Sequence, residues 1–339
     1  MIEVNLLNII ESKFKKAAII SILVLMGAVF LSGCTGLGER TLTFGYQPST
    51  HQVAYMVAED RGWWQEDLAP HGIDRIDDRE FATGAPEMQA MMAGHLDVAY
   101  VGAAPVISAL DRGLDAKIVA GVQTQGSSLV LSNELAETYN SPEDLKGLKI
   151  ATFPPGTIQD TIIRTWLADN GIDPQNDLEI IGMGPGEAIS AIAAGQVDGV
   201  FLPHPAPSII ESEGYGLTVI ESGEIAPHHA CCVLVVSGEL IREEPELVEQ
   251  IVRTHIKATE YIKDNPDEAA EVFSQYTGWS VADTKKSLEE WDGVWISDPN
   301  VVVDSTVAYA QQQYELGYID TLLTEDDIFD LSFYEAATN

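Results

Sequence analysis

Apolar and polar positions along this chain follow two rhythms that repeatedly trade places. Thr41–Tyr46 alternates with a period of two, the pattern of a half-buried strand, and Gln47-Pro-Ser-Thr50 turns it into a helix ending near Asp60-Arg-Gly62. Arg79–Ala82 predicts a second strand, and Pro86–Ala93 a helix stopped by Gly94. Val98–Val101 predicts a strand, Pro105–Arg112 a helix stopped by Gly113, and Ala116–Gly121 another strand. Strands alternating with helices of this length predict a parallel sheet covered by helices.

The alternation then begins again. Leu129–Leu131 is strand-like, and Ser141-Pro-Glu-Asp144 predicts a helix start with a cap, a proline and an acid in the first turn. Gly147 closes that helix ahead of a strand at Leu148–Thr152. Thr157 and Asp160 are spaced as a capping box before a helix that carries Ile158, Ile162, Ile163, Trp166 and Leu167 on one stripe and ends at Gly171. Strands follow at Leu178–Ile181, Gly199–Leu202 and Cys231–Val236, with a helix at Glu187–Ala194. From Glu243 the pattern is nearly all helical: Pro245–Lys263, Pro266–Gln275, Val281–Trp291 and Val303–Leu316. The expected fold class is α/β, with two doubly wound sheets and a helical C-terminal tail. Crossing segments near Gln123–Leu129 and Cys232–Ser237 divide the chain into lobe 1 (41–126 and 236–339) and lobe 2 (127–235), with a cleft between them.

One segment is nearly written twice. Ala93–Pro105 reads AGHLDVAYVGAAP and Ala194–Pro207 reads AGQVDGVFLPHPAP. In each, a glycine ends a helix, an aliphatic-Asp pair turns, and an apolar strand runs to a loop at its carboxyl end. Ligands of open α/β sheets bind beyond those carboxyl ends, so the loops at Gly102-Ala103-Ala104 and Pro203-His204-Pro205 are candidate walls of one cleft. Asp97 and Asp198 are expected to serve the turn rather than the ligand. Small or hydroxyl residues also stand at helix starts in Ser49-Thr50, Gly126-Ser127-Ser128 and Gly156-Thr157. Free N–H groups there hold anions, and they also need ordinary caps.

Composition changes this picture in one respect. Hydrophobic residues at 45% and charged residues at 21% suit a globular chain of 339 residues, long enough for two cores. The charge is lopsided, with 18 Lys+Arg against 53 Asp+Glu and a net −35. Such a surface repels phosphate backbones, so no nucleic-acid partner is expected. It fits either solubility at high salt or a very acidic exported protein.

Export is the expectation from the first 33 residues. Lys13, Lys15 and Lys16 precede an apolar run from Ala17 to Leu31, which breaks at Ser32-Gly33-Cys34. Residues 1–33 read as a signal peptide, Leu31-Ser32-Gly33-Cys34 looks like a lipobox with Cys34 as the lipid anchor, and residues 34–40 form a linker. An uncleaved membrane anchor is the alternative. Either places the globular part outside the cytoplasm, tethered to the outer face of the cell membrane. Cys34, Cys231 and Cys232 are the only cysteines, so no disulfide framework exists.

Catalytic motifs are missing from the sequence: there is no nucleophile elbow, phosphate-binding loop, dinucleotide fingerprint or His-Glu-x-x-His. No cofactor is implied, and the chain is not expected to be an enzyme. The run His228-His229-Ala230-Cys231-Cys232 carries ligand types for zinc or copper. Neighbours on a strand face opposite ways, so at most His229 and Cys231 would share a side, and buried thiols with a histidine lining the cleft are expected instead of a metal.

An ordered set of short motifs carries a resemblance. Gly45-Tyr-Gln-Pro48, Ala58-Glu-Asp-Arg-Gly-Trp-Trp64, Ala93-Gly-His-Leu-Asp97, Asp144-Leu-Lys-Gly147, Gly156-Thr157, Ala194-Gly-Gln-Val-Asp198 and Asp330-Leu-Ser-Phe-Tyr334 occur in sequence. Together they resemble the extracytoplasmic solute-binding proteins of ABC importers, in the nitrate/sulfonate/taurine and thiamine-precursor group. The resemblance implies a two-lobed periplasmic-binding-protein-like (type II) fold. It implies a monomer that closes over a small, usually anionic solute, and partners in a membrane permease with a cytoplasmic ATPase. Carried over by position, Tyr46, Gln47, Ser49, Thr50, Gly102, Ala103 and Ala104 would line the site from lobe 1. Ser127, Ser128, Gly156, Thr157 and His204 would line it from lobe 2 or the hinge. Relatives that use basic side chains find no matching Lys or Arg here; His204 or His229, if protonated, could supply the missing charge, and a neutral ring could donate one hydrogen bond. An exported enzyme on the same fold, related to the thiamine-precursor branch, and a metal-binding lipoprotein are the rival expectations.

Overall fold

A computed structural model describes residues 39–339. The expected signal peptide (1–33), Cys34 and most of the linker lie outside the described residues. Among the described residues, no helix is long and apolar enough to cross a membrane.

Eleven strands among the described residues make two sheets. In chain order they are β1 (Thr41–Tyr46), β2 (Arg75–Glu80), β3 (Val98–Gly102), β4 (Ala116–Thr124), β5 (Ser127–Leu131) and β6 (Lys149–Thr152). β7 (Glu179–Gly182), β8 (Gly199–Pro203), β9 (Leu217–Glu221), β10 (Ala230–Ser237) and β11 (Val294–Trp295) follow. The first sheet runs β11-β4-β10-β3-β1-β2 and the second β7-β6-β8-β5-β9. β1 is parallel to β2 and β3, and β10 is antiparallel to β3 and β4. In the second sheet β6 is parallel to β7 and β8, while β5 is antiparallel to β8 and β9. Set side by side, β2-β1-β3-β10-β4 and β7-β6-β8-β5-β9 are the same arrangement, with β3 and β8, the two echoed strands, in the equivalent place.

The antiparallel member of each sheet comes from the far side of a crossing. β4 leaves the first sheet and the chain reaches β5 after only Gln125 and Gly126, both in the left-handed region at φ 61° and 78°. A Cβ on Gly126 would lie 2.5 Å from Gln123 Nε2 and 2.9 Å from His51 Nε2, so only glycine fits. The return runs from β9 through the short helix Ser222–Ile225 to β10. Asp292 fastens the two crossings together: its carboxylate accepts from the N–H groups of Gly126 at 2.7 Å and Gly223 at 2.6 Å.

Several expectations need correction. β10 belongs wholly to the first sheet, so that sheet resumes at Ala230 and not at 236; its ladders to β3 and β4 fix the assignment. Ser141–Asp144 opens only a single 3-10 turn, Pro142–Leu145, because Gly147 follows at once in the left-handed region at φ 83°. The second strand lies at Arg75–Glu80, earlier than Arg79–Ala82, since it is a charged edge strand aligned by β1 and not by an apolar rhythm. β9 and the helix Ala206–Ser212 had no expected counterpart.

The C-terminal helices complete the first lobe and reach the second. Pro245–Asp264 buries Leu247, Val248, Ile251, Val252, His255, Ala258 and Ile262, spaced three and four apart, and packs on helix Val53–Asp60. Val281–Glu290 packs on Ala206–Ser212 of the second lobe, and Val303–Glu315 touches helices of both lobes.

Candidate functional site

The loops at the carboxyl ends of β1, β3, β6 and β8 converge on a narrow cavity. Gln47, Ser49, His51, Gln52 and Gly102 line it from the first sheet's side, and Phe153, Thr157, Gln159 and Pro203 from the second. Cys231 and Cys232 of β10 form its back. A second cavity of about 750 Å³ lies across Gln47 and Ser49, bounded by Glu80, Phe153, Pro185, His204 and Trp279 among others. Neither is lined by Lys or Arg among the described residues.

The β1 loop is held from below. The backbone N–H of Gln47 donates to Gln52 Oε1 at 2.6 Å, and the Gln47 side-chain amide donates to Glu87 at 2.8 Å. Glu87 is fully buried, and burial pushes its carboxyl well above the usual range. Gly45 makes room for it: a Cβ there would lie 2.8 Å from Glu87 Oε1. Ser49 and Thr50 reach across the lobes, each hydroxyl donating to the carbonyl of His204, at 3.1 and 3.2 Å.

Nine of the expected site residues, the histidines with Ser128 and Thr50 aside, divide into three groups. Gln47, Ser49, Gly102 and Thr157 line the smaller cavity, with Ser127 one contact behind, accepting from the Gln159 amide at 3.0 Å. Ala103, Ala104 and Gly156 are committed to structure. The alanines begin the buried helix Ala103–Asp111, and the Gln313 amide ties the carbonyls of Ala104 and Gly156 together, at 3.1 and 3.2 Å. Thr157 also caps its helix, accepting from the N–H of Asp160. Tyr46 faces away, stacked on Tyr55 at 4.9 Å, and its hydroxyl pKa is raised by burial and by Asp78.

The two histidines do not carry charge. His204 is buried with its ring between Ser128 (Nε2, 2.9 Å) and Ser287 (Nδ1, 2.9 Å), and burial pulls its pKa down to about 3. His229 donates Nδ1–H to the carbonyl of Ala226 at 2.7 Å, and burial holds its pKa at about 4. Of the two expected roles, positive charge or a single hydrogen bond from a neutral ring, desolvation disfavours the charged one.

Sequence reasoning missed His51, Gln52 and Gln159, and misplaced the thiols. On β10, Ala230 pairs with Thr124 but Cys232 with Gln123, a bulge at Cys231. The extra residue breaks strict alternation, so both sulfurs face the cavity. Cys231 Sγ lies 3.2 Å and Cys232 Sγ 3.9 Å from His51 Nδ1. Contact with Cys231, with help from His51 and Gln52, pulls the Cys232 pKa down, while the same contact and burial push that of Cys231 up. His228 and His229, nearer in sequence, are not part of this cluster.

Two sheets of one topology, joined by paired crossings and facing a shared cavity, define a two-lobed binding-protein architecture. A profile of the NMT1-like family matches residues 36–276, and the chain belongs to that family. A putative binding protein of Brucella abortus is 28% identical over 222 residues, spanning 65% of this chain and 66% of that protein. A putative aliphatic sulfonates-binding protein of Bacillus subtilis is 27% identical over 333 residues, 93% of this chain and 96% of that protein. The crystal structure of the periplasmic nitrate-binding protein NrtA from Synechocystis PCC 6803 superposes with a TM-score of 0.77 at 15% identity, covering 88% of each chain. That likeness establishes the periplasmic-binding-protein-like fold.

Proposed function

We infer that the chain is the extracytoplasmic solute receptor of an ABC importer, a non-enzymatic monomer. It captures a small solute between its lobes and delivers it to a permease driven by a separate ATPase. The observation that carries this reading is the cavity at the strand ends, lined from both sheets by amide, hydroxyl and backbone groups. The named activities of the Bacillus and Synechocystis proteins support it. Cys34 would anchor the receptor to the outer membrane face and keep it near its permease.

The lining narrows the solute. With no Lys or Arg and with neutral histidines, a small polar solute of low charge suits it, such as nitrate, taurine or another sulfonate. Ser49 and Gln159, one from each lobe, line the cavity with polar side chains that a solute would meet. Solute that contacts both lobes binds the closed form more tightly and shifts an open–closed equilibrium towards it.

A thermal-shift screen of sulfonates, taurine, nitrate, bicarbonate and pyrimidines tests this. A true ligand at a hundred times its Kd adds about 2.7 kcal/mol of apparent stability. Ser49→Ala and Gln159→Ala should each shrink the shift. A screen without any stabilising compound, or a bound ligand that leaves the solution scattering unchanged, would overturn the reading.

A further inference from the structure

The bulge on β10 gathers a donor set that the receptor reading does not use. His51 Nδ1, Cys231 Sγ and Cys232 Sγ all lie within 4.8 Å of one another, and all three residues are buried at the back of the cavity. A tetrahedral ion with Zn–S near 2.3 Å and Zn–N near 2.0 Å holds its nitrogen and sulfur donors about 3.6 Å apart. The distances of 3.2 and 3.9 Å from the imidazole to the two sulfurs bracket that spacing.

The surroundings orient the donors. His51 Nε2 donates to the carbonyl of Gly126 at 2.8 Å, which fixes the tautomer and leaves the Nδ1 lone pair facing the sulfurs. The side-chain amides of Gln52 and Gln159 lie 3.7 and 3.9 Å from Cys232 and Cys231, placed to donate to thiolate sulfur. On the remaining side is the cavity.

We propose that His51, Cys231 and Cys232 form a binding site for a thiophilic divalent cation of the zinc class, with its fourth coordination position open to the cleft. Two thiolates, one imidazole and an exchangeable fourth ligand are the set found where zinc binds a small oxygen ligand. Uptake replaces two thiol protons, which leave to solvent, so the net charge of the site stays the same and Lewis acidity is what it gains. An anionic headgroup would take the fourth position in a cleft that offers it no Lys or Arg. That last step rests on the receptor reading; uptake of the ion does not.

The test uses the reduced full chain, titrated with Zn(II) against a chromophoric chelator and with Co(II) as a spectroscopic stand-in. One ion per chain is expected, with thiolate-to-cobalt charge transfer and the visible bands of a tetrahedral centre. Cys231→Ser, Cys232→Ser and His51→Gln should each weaken binding at least about tenfold, while His228→Gln should not. Zinc should also protect Cys231 and Cys232 of the unaltered chain from alkylation, located by mass spectrometry, a readout that needs no variant to fold. No uptake, uptake unchanged in the doubly substituted Cys231→Ser/Cys232→Ser chain, or thiols unprotected by zinc would each overturn the site. Running the solute screen on zinc-free and zinc-loaded protein separates the two readings. Solute binding by a chain that takes up no zinc removes the metal site alone, and zinc uptake without any solute removes the receptor reading alone.

Discussion

Ala93–Pro105 and Ala194–Pro207 begin alike and end differently. Gly94 and Gly195 both close their helices in the left-handed region, at φ 70° and 65°. The same backbone bonds follow, from Gly94 to Met91 and His95 to Ala90, and from Gly195 to Ile192 and Gln196 to Ala191. Asp97 then accepts from the N–H of Thr43 at 2.8 Å, and Asp198 from that of Lys149 at 2.7 Å. In each lobe one carboxylate sets where the echoed strand starts against its parallel neighbour. Past the Asp the copies separate: Val98 against Gly199, Tyr100 against Phe201, Gly102 against Pro203. Tyr100 donates to His255 Nδ1 of the long C-terminal helix, 2.9 Å away, whereas Phe201 carries only its ring. The shared half builds the lobe, and the divergent half answers to what each lobe touches.

The strongest way to break this comparison is to make the second copy read like the first. In Gly199→Val, a Cβ would lie 2.7 Å from the carbonyl oxygen of Val130, so the β5–β8 ladder must move. A loss of about 3 kcal/mol in urea denaturation is expected; full stability would mean that the two strands are interchangeable after all.

A smaller effect sharpens the likeness. Asp97→Ala and Asp198→Ala should each cost about 2 kcal/mol, the value of a hydrogen bond to a charged group, and by similar amounts. Solute affinity should be unchanged in both. A loss of affinity without loss of stability would move these carboxylates from scaffold to site.

The smallest effect concerns pH and belongs to the second copy alone. His204 has a folded pKa of about 3 against 6.5 when unfolded, so its contribution is complete above pH 6.5 and is lost as pH falls towards 3. Between pH 7.5 and 6 that amounts to roughly 0.8 kcal/mol. Glu221, raised to about 7 mainly by burial, acts with the opposite sign: its contribution is complete below 4.5 and lost as pH rises through 7. Comparing the parent chain with His204→Gln at both pH values largely cancels the second effect, and the parent should lose roughly 0.8 kcal/mol relative to the variant between pH 7.5 and 6.

The architecture was largely readable in the residues, because parallel strands buried on both faces and helices with one apolar stripe leave separate rhythms. What escaped were edges and irregularities. β2 is nearly all charged and β9 half exposed, so their partners and not their own patterns define them. In the site, Gly102 followed from the rule that loops at strand ends face the cleft, Ser49 and Thr157 from hydroxyls placed at helix starts, and Gln47 from the family resemblance. His51, Gln52 and Gln159 lie one or two residues beyond those loops, a step that needs helix phase to within one residue. The thiol pair was conspicuous, yet only a bulge puts both sulfurs on one side, and nothing in Ala230-Cys231-Cys232-Val233 announces one.

The strand exchange between the sheets has a consequence for how the chain comes into being. β10 fills the space between β3 and β4, so the first lobe stays split down its middle until residue 237 has been made, long after its other main strands. Synthesis from the N-terminus therefore yields a prolonged stage in which most of the chain exists and neither half of the first sheet can close. A precursor of that kind remains threadable, which is the condition a polypeptide must meet to pass through a membrane before it folds.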